Sequence, residues 1–248
     1  MKTFTNMAWP DDPYCTGQQL YRRPSPRLIA FTVDQFTTAS LGAPHAFAVV
    51  HLPLHRTQAL AVTEQTLAFG FLAASIDSGN ELSVLAKLAD LDLMQARRHA
   101  AVLAGYQLTD DLVALQSGVR EAVLRGVVAV EQEWAARGSS VRGRAAMFDC
   151  GLDLPNTASL EEACEHSGII PAPVRSVGAP DVSASAQHAA AIALERALAI
   201  AMVSARYLGR YTWEGSLQIE VAMAASAWDC FPEVFASDER SMRDSRLG

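Results

Sequence analysis

Lysine is nearly missing from this chain: Lys2 and Lys87 stand against 18 arginines. A GC-rich coding sequence produces that bias. So would arginine clusters selected to hold anions, because the guanidinium fork matches carboxylate and phosphate. The net charge of −7 disfavours nonspecific attachment to nucleic acid or to an anionic membrane. Four cysteines, Cys15, Cys150, Cys164 and Cys230, show no CxxC spacing, which speaks against a zinc ribbon or a disulfide scaffold and for reduced thiols. The chain contains no GxGxxG, P-loop, GxSxG or HExxH, so no nucleotide cradle, hydrolase elbow or zincin site is expected. The longest apolar run, Ala59–Ile76, is interrupted by Thr63-Glu64-Gln65-Thr66, which makes a membrane span there costly. No apolar leader follows Met1-Lys2. These absences together point to a cytoplasmic protein without membrane contact.

Alanine is abundant, at 43 positions, and it is the best helix former. Periodicity predicts helices over Thr57–Ile76, Glu81–Ala89, Leu93–Leu103, Asp110–Ala136, Ala186–Leu208 and Glu214–Cys230. The acidic pair Asp110-Asp111 suits the positive end of the long helix dipole. A short helix after Ser159-Leu160-Glu161-Glu162 carries a capping signature. Leu28–Val33 and Ala46–Leu52 are β-rich enough for a short hairpin. The expected fold class is therefore mainly α, a helical bundle with a short N-terminal hairpin and an irregular central segment. The expected organisation is an irregular arm over 1–56, a bundle over 57–231 with an irregular insertion at 138–185, and a flexible tail at 232–248.

Two acids fall among apolar positions on these wheels. At about 100° per residue, Glu220 lies beside Leu217, Met223, Ala224 and Ala227, opposite Glu214, Gln218, Ser226 and Asp229. Glu64 neighbours Leu60, Leu67, Ala68 and Phe71. A carboxylate in apolar surroundings is paired, protonated or functional, and burial raises its pKa toward the range of a general acid or base. Glu64 and Glu220 are the candidate catalytic residues. Either could instead meet an arginine on a neighbouring helix. Glu195 shares its face with His188 and Arg206, which could form one wall of a binding pocket or a partly solvated stripe.

Metal ligation has weak support. The Glu-x-x-His pairs of carboxylate-bridged bundles are missing, since Trp134, Leu198 and Met223 follow Glu131, Glu195 and Glu220 at that spacing. His51 and His55 are separated by Pro53, and Glu162 with His166 reads as a surface pair. No metal or other cofactor is expected.

Residues 81–106 have the pattern of two helices around Asp90-Leu91-Asp92, with Arg97, Arg98 and His99 projecting from the second. That string resembles the DNA-binding part of winged-helix bacterial regulators. The resemblance implies a helix-turn-helix whose basic residues meet phosphates and guanine edges. Asp90 stands where a glycine is common, and no clear wing follows Gly105.

The leading expectation is a small-molecule-binding protein, with a cofactor-independent biosynthetic enzyme as its sharper form. A helix-turn-helix transcriptional regulator is the first alternative, although the net charge makes nucleic acid an unfavoured partner. A noncatalytic subunit that forms homo- or hetero-oligomers through its Ala-rich helices is the second.

Overall fold

The computed structural model describes residues 1–7, 26–35, 44–119, 123–136, 145–155, 157–171 and 186–231. Expectations for the proline-rich stretch 8–25, for residues 137–144 and 172–185 of the irregular insertion, and for the tail 232–248 lie outside the described residues. In chain order the elements are β1 (Lys2–Thr5), β2 (Arg27–Gln35), β3 (Pro44–Pro53), β4 (Leu60–Ala61) and β5 (Gly70–Ser75). Next come α1 (Leu82–His99), β6 (Val102–Gly105), α2 (Leu108–Ser117), α3 (Arg125–Ala135) and β7 (Ala146–Asp149). The chain continues with α4 (Leu160–His166), β8 (Ile169–Ile170), α5 (Ala186–Tyr207), β9 (Tyr211–Thr212), β10 (Leu217–Gln218) and α6 (Ile219–Ala227).

A six-stranded mixed sheet in the order β1-β5-β3-β2-β6-β7 organises these elements. The fold is α/β, which corrects the expected mainly-α helical bundle. The two strands expected from sequence, in β2 and β3, do pair antiparallel, from Arg27 opposite Pro53 to Gln35 opposite Pro44. They are the central strands of the sheet rather than part of an arm. β5 adds antiparallel to β3, and β1 antiparallel to β5. On the other side, β6 runs parallel to β2 and β7 parallel to β6. The chain therefore grows outward from β2 to β3 and β5, then returns through α1 to the opposite side of β2. The direction of growth reverses between β2 and β6.

Side-chain alternation divides the sheet into two faces. Ile29, Phe31, Val33, Phe47, Val49, Leu72 and Ala74 join the core beneath α1, α2 and α3. Leu28, Ala30, Ala46, Ala48, Val50 and Ala73 join the core under α5. The alanines thus serve a different purpose from the expected helix-on-helix packing. Small residues on the sheet face Ala190, Ala193, Ala197 and Ala201 on α5, so helix and sheet approach closely. A larger side chain in such a seam costs about 1–3 kcal/mol through overpacking. α5 is long and apolar enough to cross a membrane by length and composition, but 83% of its apolar window is buried within the protein.

Several expected helices are something else. The segment Thr57–Ile76 is β4, a turn and β5. The long helix Asp110–Ala136 is two helices, α2 and α3, with Gly118 capping the first. Residues 81–106 hold one continuous helix and a strand, with Asp90, Leu91 and Asp92 inside α1, so the helix-turn-helix geometry is not formed. The stretch Glu214–Cys230 opens with β10 before α6 begins. The capped short helix is as expected: Ser159 accepts the Glu162 N–H at the start of α4.

Candidate functional site

A pocket of about 550 Å³ opens where the growth of the sheet reverses. Its walls come from the carboxyl end of β2 (Val33, Asp34, Gln35), the turn after β6 (Tyr106, Gln107), one side of α2 from Asp110 to Ser117, and Arg196 on α5. Open α/β sheets bind ligands at this position, because loops leaving adjacent strands in opposite directions create a crevice there. The volume lies within the range of roughly 300–1,000 Å³ usual for small-molecule sites.

Asp111 is the most perturbed group in the pocket. It sits in the first turn of α2 and is 4% exposed, and its Oδ2 accepts the backbone N–H of Val33 at 3.1 Å. Burial pushes its carboxyl up to about 7, a rise partly offset by the Arg196 guanidinium and the Val33 amide. A carboxyl poised there exchanges a proton near neutral pH.

Arg196 faces the same space from the other side of the sheet. Its charge reaches both Asp111 and Tyr106. The buried Nε has no hydrogen-bond partner among the described residues. No ion pair within 4.0 Å joins Arg196 to a carboxylate among the described residues, although Asp34, Asp110 and Asp111 line the same pocket. Asp34 is held by His45 Nε2 at 3.2 Å instead.

The pocket wall at Gln107 is strained. Gln107 has φ 51°, the one non-glycine residue with positive φ among the described residues, a conformation uncommon for side-chain-bearing residues. Asp149, fully buried at the end of β7, holds it there. Its Oδ1 accepts the N–H of Gln107 at 3.2 Å and of Gly151 at 2.9 Å. The Gln107 carbonyl in turn accepts the Asp110 N–H at 3.0 Å. The parallel strands thus set the start of α2, and with it Asp111.

The acids singled out from sequence lie elsewhere. Glu64 is half-buried in the turn between β4 and β5, and its Oε1 accepts the backbone N–H of Gln218 at 3.0 Å. Glu220 is half-buried in the first turn of α6, two residues beyond that amide. The fold therefore brings Glu64 to β10, just ahead of the helix that carries Glu220, through a backbone contact and not through the helical face expected for it. Glu195 is buried on α5, whereas His188 and Arg206 are half-buried. A rise of about 1.5 Å per residue puts roughly 27 Å between His188 and Arg206, too far to line one small pocket. The Arg206 guanidinium lies 4.4 Å from the ring centre of Trp213. Arg97 forms an ion pair with Glu133 of α3 at 2.7 Å, while Arg98 and His99 are exposed at the end of α1.

The remaining chemistry-bearing residues have local explanations. Cys150 is fully buried with Sγ 3.2 Å from Ser204 Oγ, and burial pushes its thiol up to about 12, so little thiolate forms near neutrality. Burial and the neighbouring Arg27 hold His51 down at about 3, so it is neutral near pH 7. His55 Nδ1 accepts the Gln58 N–H at 3.1 Å. Among the described residues no three His, Cys, Asp or Glu side chains group into a metal-binding set.

Comparison with known proteins adds no identity. No protein-family model, curated protein or solved structure matches this chain. Asp110 and Asp111 lie in the first turn of a helix, as expected, but the helix dipole alone gives no reason for the burial of Asp111. Arg196 sits beside Glu195 in the middle of α5, where the neighbouring turns are buried alanine, leucine and isoleucine. That mid-helix arginine is the signal the sequence offers, because a charge amid buried alanines needs a reason.

Proposed function

We propose that the protein binds a polar small molecule in the pocket between β2, β6, α2 and α5, with Asp111 as its acid–base group. The observation that carries this reading is a buried carboxyl poised near neutrality, within reach of a guanidinium that forms no ion pair among the described residues, at the topological switch point of the sheet. Arg196 supplies a fixed positive charge for the ligand. Asp111 then takes or gives a proton at a ligand atom, or holds it as a hydrogen-bond donor when protonated. Gln107 and Tyr106 provide neutral polar contacts on the wall. The small-molecule reading drawn from sequence is kept, but its acid–base group moves from Glu64 and Glu220 to Asp111.

A thermal-shift screen over amino acids, sugars, nucleosides and small carboxylic acids tests this. A ligand present at 100 times its Kd stabilises the native state by about 2.7 kcal/mol. At least one compound should raise the Tm of the wild type, and the rise should disappear in Asp111→Asn and Arg196→Ala. If no compound stabilises the wild type, or if the rise survives in both variants, the pocket is not the ligand site.

A further inference from the structure

We infer that the ligand of this pocket is a zwitterion of the α-amino-acid class, its carboxylate on Arg196 and its ammonium group against the carboxylates of β2 and α2. The inference rests on the pocket being the ligand site. It follows from how charge is distributed around the cavity.

Arg196 comes first. A guanidinium beside three carboxylates would ordinarily close on one of them, because the bidentate pair is among the stronger polar contacts. Here it does not: Arg196 reaches no carboxylate within 4.0 Å among the described residues, and its buried Nε lacks an acceptor. Arg196 lines the cavity without a carboxylate of its own to pair with among the described residues, so the arrangement suits an anion supplied from outside. α5 is packed into the core along nearly its whole length, which fixes where the guanidinium can reach. A planar, two-oxygen acceptor fits the fork best.

The opposite wall decides what accompanies that anion. Asp34, Asp110 and Asp111 all line the cavity, and Arg196 is the lone basic residue among its lining. A phosphate, with close to two negative charges, would meet repulsion from Asp34 and Asp110, and from Asp111 whenever it is ionised, for one guanidinium. A singly charged carboxylate linked to an ammonium group has no such difficulty. Its positive end meets the acidic wall while its negative end meets Arg196. The volume of about 550 Å³ leaves room beyond the zwitterionic head for a side chain of several heavy atoms.

Isothermal titration of the full-length chain with the common α-amino acids decides the matter. The same compounds are run as methyl esters, which lack the carboxylate, and as N-acetyl derivatives, which lack the ammonium group; inorganic phosphate is run separately. At least one amino acid should bind, and both blocked forms of it should bind at least tenfold more weakly. Arg196→Met should weaken the free amino acid strongly but barely change binding of its methyl ester. The inference is overturned if the methyl ester binds as well as the free acid, if inorganic phosphate competes, or if no amino acid binds. A sugar or nucleoside that binds in an Asp111-dependent manner while every amino acid fails would overturn the ligand class and leave the pocket assignment standing. Failure of every compound would overturn both.

Discussion

Asp111 on α2 accepts a hydrogen bond from the backbone N–H of Val33 on β2, at 3.1 Å. The contact ties the first turn of a helix to the end of a central strand and buries a carboxyl that titrates near 3.8 when unfolded but near 7 in the fold. Between those values the unfolded chain gives up a proton that the native state keeps, so stability falls as pH rises through that window. The full penalty, on the order of 4 kcal/mol by proton linkage, is present above about pH 7. Asp111→Asn keeps an oxygen acceptor for Val33 and cannot ionise. The variant should therefore gain stability over the wild type near pH 8, and the gain should vanish near pH 4. Urea unfolding at both values measures it; an equal gain at both would mean that ionisation is not the cause.

Gly126, in the first turn of α3, is where two helices touch backbone to backbone. A Cβ there would run into the carbonyl oxygen and the side chain of Asp90 on α1. The same Asp90 accepts the Val127 N–H at 2.8 Å through Oδ1, which satisfies one of the free donors at the start of α3. Gly126→Ala should cost about 3 kcal/mol by overpacking, and Asp90→Ala about 1 kcal/mol as the loss of a cap. Denaturant midpoints of the two variants test the ranking. An alanine at 126 that leaves the midpoint unchanged would contradict the close approach.

Arg97 and Glu133 hold α1 to α3 from the other end of the contact. The side chains are 18% and 13% exposed, so the pair is sheltered enough to matter. A double-mutant cycle with Arg97→Met and Glu133→Gln should return a coupling of about 1–2 kcal/mol. Coupling near zero would show that Arg97 is not committed to the pair. A committed Arg97 cannot serve as a base-reading side chain without breaking it.

Two of the expected helices contain strands for one physical reason. β5 and β6 are short strands with residues buried on both faces, among them Phe71, Leu72, Ala73 and Leu103. A strand covered on both sides has no reason to alternate, and a short apolar run then looks like a turn or two of helix. β2 and β3 escaped this because their β-branched and aromatic residues, Ile29, Phe31, Val33, Val49 and Val50, identify them by composition. The apolar neighbours expected around Glu64 do not form for the same reason, since residues 57–76 hold two strands and a turn in place of a helix. Glu220 does lie on a helix, α6, yet it was compared with Leu217 of β10, which is outside that helix.

What local pattern settled was what local forces control. Ser159 caps α4 because its hydroxyl reaches an amide three residues on. Asp110 and Asp111 open α2 because a helix start favours negative charge. The long apolar face of α5 had to be covered by something. Which surface covers it, and which charges meet across the sheet, depended on contacts between residues far apart in the chain. Val33 and Asp111 are separated by 78 positions, and Arg196 comes 85 positions after Asp111. They share a pocket because β6 pairs with β2 rather than continuing outward from β5, and no periodicity within a single segment records that choice.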